Sequence, residues 1–140
     1  ERFGFRFVPL ENYDVVSMPS GEGAVMRRTI SGVDYLREDK EDNTYPYNVE
    51  IKVMASENLL GFDDLAEFIQ MRYDGFTIEG YESGEVSGFF VDEGIAGDAV
   101  RHFFTMKGEV IYEASLKLPS FYFDYHKEEF EAFVPTILFF

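Results

Sequence analysis

The end of the chain constrains the fold most. Val110, Tyr112, Ala114, Leu116 and Leu118 alternate with Ile111, Glu113, Ser115 and Lys117, the period-two pattern of a strand. Phe130, Phe133, Val134, Ile137 and Leu138 then recur at helical spacing. A strand that hands over to a terminal amphipathic helix needs a sheet for that helix to cover, so the pattern predicts an α+β fold.

The rest of the chain supplies that sheet. Phe3, Phe5 and Phe7 alternate with Gly4, Arg6 and Val8 in an opening strand closed by Pro9. Tyr13 to Met18 and Ala24 to Ile30 read as two more strands, separated by Pro19-Ser20-Gly21. Residues 31–48 carry Asp34, Glu38, Asp39, Glu41 and Asp42 with little apolar periodicity, which predicts an exposed acidic loop. Val49, Ile51 and Val53 then alternate with Glu50, Lys52 and Met54. A short helix follows, with Asp63 as N-cap, Leu65, Phe68, Ile69 and Arg72 at helical spacing, and Gly75 as its stop. Four glycine-punctuated strands come next, at 76–81, 85–91, 99–106 and 109–118. Asp124 is placed to cap the final helix. Short turns between consecutive strands imply an antiparallel sheet. No repeat or linker composition divides the chain, so a single domain over 1–140 is expected.

Composition narrows the function. The net charge of −15 repels nucleic acid and anionic lipid headgroups and favours a basic partner. Sixteen Phe and nine Tyr are first of all core-filling residues. The absence of cysteine removes disulfides, thiol redox chemistry and thiolate metal ligands. The chain starts at Glu1 rather than Met, as expected if a signal or lipid-anchor segment precedes it, and its apolar end is too short to span a bilayer.

No catalytic signature emerges. His102 lies mid-strand in phase with Val100 and Phe104, the position of a satisfied histidine on a sheet face. His126 falls in Asp124-Tyr125-His126-Lys127-Glu128-Glu129, read as an exposed helical first turn. No nucleophile elbow surrounds Thr105, Ser115 or Ser120. Adjacent acids such as Asp63-Asp64 point different ways and make no shared acid–base site. The segment Asp39 to Asn43 lacks the spaced acids, turn glycine and closing glutamate of a calcium loop. No GxGxxG or Walker pattern exists among the glycines. No catalytic residue, metal site or cofactor is expected.

Two stretches resemble a known family. Phe3-Gly4-Phe5-Arg6-Phe7-Val8-Pro9 is similar to the opening strand of PsbP-like proteins. Tyr112-Glu113, Glu128 to Val134 and Ile137 to Phe140 are similar to that family's last strand and closing helix. Leu138-Phe139 stands where the family has a Ser-Phe-like pair. The tryptophan that commonly follows the opening proline is absent, with Tyr13 near its place. The resemblance implies a Mog1/PsbP-like α/β/α sandwich, with a central antiparallel sheet flanked by helices and no universal catalytic residues. It implies a non-enzymatic, extracytoplasmic accessory or protein-binding domain, in the form of a bacterial lipoprotein whose membrane link is an N-terminal anchor. A cytoplasmic member is the alternative for compartment. For function the alternative is a small-molecule binder with an aromatic pocket between sheet and helix. Tyrosines beside mobile polar residues suit interfaces, which places the expected protein contact at Tyr35, Glu38, Asp39, Glu41, Asp42, Tyr45 and Tyr47.

Overall fold

The computed structural model describes residues 4–18, 22–33, 44–84 and 86–140; the side chains of 31–33 and 44–45 lie outside the description. Seven strands form one sheet: β2 (Asp14–Ser17), β3 (Gly23–Val33), β4 (Thr44–Glu57), β5 (Thr77–Ser83), β6 (Val86–Ile95), β7 (Asp98–Lys107) and β8 (Val110–Pro119). Their order is β2-β3-β4-β8-β7-β6-β5, and every neighbouring pair is antiparallel. A two-stranded sheet pairs β1 (Phe5–Arg6) with β9 (Leu138–Phe139). The α-helices among the described residues are α1 (Leu65–Arg72) and α2 (Phe123–Phe133).

Successive residues of β7 show where the helices lie. Phe103 packs with Phe90, Ala114 and Leu116 under Phe130 and Phe133 of α2. Phe104 packs with Val91 and Ile111 under Leu65 and Ile69 of α1. Neighbours in a strand point to opposite faces, so the helices cover opposite sides of the sheet. The α/β/α arrangement that the resemblance implies is the observed one. Burying an aromatic such as Phe130 or Phe133 contributes roughly 2–3 kcal/mol each. On the α1 side the cover is partial. Beyond β8 that face is polar, with Arg27 Nε 3.1 Å and Lys52 Nζ 3.2 Å from Glu50, and Thr29 bonded to Asn48 at 2.9 Å.

Four local expectations need correction. The span 31–48 is not all loop: β3 runs to Val33 and β4 starts at Thr44, continuing the hairpin ladder through Gly32 opposite Tyr45. Backbone pairing carries these residues without any apolar period. The α1 cap is Asp64, not Asp63: Asp64 Oδ1 accepts from the Glu67 amide at 2.8 Å, and the Asp63 amide donates to Glu67 Oε2 at 3.1 Å. Asp124 makes no capping bond, because a 3₁₀ turn over Ser120–Tyr122 leads straight into α2. Finally, the helical stripe stops at Phe133. Pro135 has no N–H to return to the carbonyl of Glu131, so the chain tightens into a 3₁₀ turn and Leu138 leaves in a strand.

One glycine is fixed by contact rather than by turn geometry. A Cβ on Gly88 would collide with the Phe104 carbonyl oxygen and lie 2.9 Å from the Phe103 ring. Neither can yield without moving the β6–β7 ladder. Gly88→Ala is therefore expected to cost about 1–3 kcal/mol, read as a lowered midpoint in urea unfolding.

Candidate functional site

Of the seven residues expected at a partner contact, Tyr47 is the one whose side chain is described. Tyr35, Glu38, Asp39, Glu41 and Asp42 lie outside the described residues, as does the side chain of Tyr45. Tyr47 sits near the start of β4 and stacks on Tyr122, ring centroids 3.9 Å apart and planes within 5°. Its hydroxyl is hydrogen-bonded to His126 Nε2 at 2.7 Å. Burial pushes the His126 pKa down and the Tyr47 pKa up, so both side chains are neutral around pH 7.

His126 is thus not in an exposed first turn, as expected, but buried. Tyr122, His126, Phe130 and Phe133 follow one another at helical spacing, all buried. Two rings frame the stack: Phe121 is 51% exposed and meets Tyr122 edge-on at 5.2 Å, and Tyr125 is 63% exposed with its ring 6.3 Å away. Across the same helix Tyr13 donates to Glu129 at 3.0 Å, with the Arg28 guanidinium 5.9 Å from the Tyr13 ring. A shallow cleft of about 360 Å³ adjoins Tyr47, lined by Asn48, Glu50, Asp98 and Lys117 among others. The arrangement offers a large aromatic surface whose margin carries Glu50, Asp98 and Lys117. Phe121, Tyr122, Tyr125 and His126 carry no local sequence signal that marks them as parts of this surface.

Two charged clusters lie elsewhere. His102 stands between carboxylates, Nδ1 2.6 Å from Glu113 and Nε2 2.9 Å from Glu93, with the Tyr73 ring 5.4 Å away. Burial pulls the His102 pKa down, but the hydrogen bonds to Glu113 and Glu93 outweigh it and raise the pKa. Ser115 is its cross-strand neighbour, yet both ring nitrogens are already bonded to carboxylates. Neither nitrogen is left to take a proton from a serine hydroxyl. Among the described residues, no group of three or more acid, histidine or cysteine side chains is placed to hold a metal ion. On the α2 side, Arg101 is only 2% exposed. It meets Asp92 at 2.8 Å, Glu131 at 3.0 Å and Glu79 at 3.1 Å, and lies 4.2 Å from the centre of the Phe90 ring.

The layer between sheet and α2 is filled by Phe90, Phe103, Phe130 and Phe133. A groove of about 710 Å³ lies instead on the α1 side, where Leu65 faces Gly80, Gly88 and Phe89.

The seven-stranded antiparallel sheet with helices on both faces has a solved counterpart. The chain is similar to cyanobacterial PsbP (CyanoP) from Synechocystis sp. PCC 6803, whose solution structure matches it with a TM-score of 0.57 at 12% identity. The match covers 98% of this chain and 87% of that one. The fold is PsbP-like. No protein-family model and no curated protein sequence matches the chain. In this PsbP-like frame the Tyr47 cluster sits at one end of the β3–β4 hairpin, beside the entry to α2.

Proposed function

We propose that the chain is a non-catalytic, extracytoplasmic accessory domain, carried by a bacterial lipoprotein, that binds a basic protein partner at its Tyr47 end. The observation that carries this reading is the pair of exposed rings, Phe121 and Tyr125, beside the Tyr47–Tyr122 stack that His126 holds in place. Preset aromatic side chains lose little entropy on binding and serve well as interface anchors. The net charge of −15 steers cationic partners toward the molecule. Engagement of both His102 nitrogens by carboxylates favours a non-catalytic role, and so does the bond between His126 and a tyrosine. The compartment rests on the family resemblance. It is checked by whether protease added to intact cells cleaves the protein; protection inside the cytoplasm would replace this compartment with the alternative one.

Affinity capture with the full chain as bait tests the binding surface. Tyr125→Ala removes an exposed ring, and its Tm is expected to stay at the wild-type value. With Tyr47→Ala added, recovery of the partner is expected to fall at least about tenfold, equivalent to about 1.4 kcal/mol. Undiminished recovery with both substitutions present rejects the reading.

A further inference from the structure

At the opposite end of β4 the chain displays two leucines with no core to fill. Leu59 is 83% exposed and Leu60 is 72% exposed. Single exposed apolar residues are ordinary, but an adjacent pair on a turn is an apolar knob. Neither leucine belongs to either core cluster.

The turn that carries them is held from several sides. Asn58 closes it with both ends of its side chain: Nδ2 donates to the Phe62 carbonyl at 2.7 Å, and Oδ1 accepts from the Phe62 amide at 2.9 Å. The Asn58 amide donates to the Glu109 carbonyl at 2.8 Å, tying the turn to the β7–β8 hairpin. The Gly61 amide donates to the Asn58 carbonyl at 3.1 Å, and Gly61 takes φ +68°, which a residue without Cβ adopts at no steric cost. Phe62 packs edge-on against Phe68, and Phe68 against Phe104 of the sheet. The leucines are thus held out on a preset turn, which lowers the entropic cost of using them in an interface. Exposed acids follow the turn in the chain at Asp63, Asp64 and Glu67, and another, Glu109, belongs to the segment that the Asn58 amide bonds.

We infer that the Leu59-Leu60 turn is a second docking element, which inserts into an apolar pocket rimmed by lysine or arginine on a partner protein. Charge complementarity selects this occupant. These acids and the net charge of −15 disfavour a second copy of the chain and an anionic membrane alike. The inference goes beyond the Tyr47 surface. At about 3.3 Å per residue, β4 separates the two ends by roughly 30 Å, so one molecule can hold two partners apart.

The test is site-specific photocrosslinking of the full chain in the cells that make it. A benzophenone side chain is placed at position 59, with an equally exposed control at Val8. The expected result is a discrete protein adduct from position 59 and none matching it from position 8. Its crosslinked peptide should contain lysine or arginine flanking apolar residues. Its yield should fall at least fivefold with Leu60→Ser, fall as salt is raised, and persist with Tyr47→Ala and Tyr125→Ala. That last arm separates this element from the Tyr47 surface. No adduct, a lipid adduct, a crosslinked dimer of the chain, equal labelling from both positions, or a yield indifferent to Leu60→Ser or to salt would each overturn the inference.

Discussion

Arg101→Ala is expected to lower stability by about 3–5 kcal/mol, the range for breaking a buried charge network. For a chain of this size that is a fall of roughly 10–20 °C in Tm. The guanidinium sits among Asp92, Glu79 and Glu131, which come from β6, β5 and α2, and Lys127 Nζ reaches Glu131 only at 4.0 Å. Its removal leaves like charges facing one another and strips packing from the Phe90 ring. The three acids retain partial access to water, so the loss falls on packing as well as on charge. Arg101→Met restores most of the buried volume without the charge and is expected to cost less, about 1–2 kcal/mol. Equal losses for Ala and Met in denaturant unfolding would show that charge alone holds α2 to this edge of the sheet.

The second large effect is a stability optimum near the ordinary histidine pKa of 6.5, shaped by two histidines acting in opposite directions. The folded pKa of His102 is raised. Its contribution is therefore complete below pH 6.5 and is lost as pH climbs through the folded pKa, when a neutral ring can donate to only one of Glu93 and Glu113. The folded pKa of His126 is lowered by burial. Its contribution is complete above pH 6.5 and is lost as pH falls toward the folded pKa. His102→Gln is expected to flatten the alkaline limb of unfolding free energy against pH, and to cost about 2–3 kcal/mol near neutrality from the weakened carboxylate contacts. His126→Gln is expected to flatten the limb just below pH 6.5. An alkaline limb that survives His102→Gln would contradict the assignment of that proton to the Glu93–His102–Glu113 bridge.

These two clusters also show what could be read from the chain and what could not. The alternation of Val110 to Leu118 marked β8 because every second residue faces a packed layer. The same rule placed Arg101 in phase with Phe103 and His102 in phase with Phe104. It could not reveal that Arg101 would be buried, because its partners lie on β5, β6 and α2, and only the fold brings them together. The burial of His126 was legible in the spacing of Tyr122, His126, Phe130 and Phe133, but its acidic neighbours in sequence pointed to an exposed turn. The strand at Leu138–Phe139 continues a helical stripe in sequence. It is a strand because Pro135 ends the helix and Phe5–Arg6 offers a partner more than a hundred residues away. Of the expected contact residues, Tyr47 came from local composition, whereas the rings that complete its surface arrive from the 3₁₀ turn Ser120–Tyr122 and from α2 through long-range packing.

Binding at the Tyr47 end is read out by amide hydrogen exchange of the full chain, peptide by peptide, with and without the partner recovered by affinity capture. Slowed exchange is expected around Tyr47 and across Phe121 to His126, with β5 at the far edge of the sheet unchanged. Slowed exchange in β5, with none at Tyr47 or across Phe121 to His126, would contradict a partner contact at the Tyr47 end.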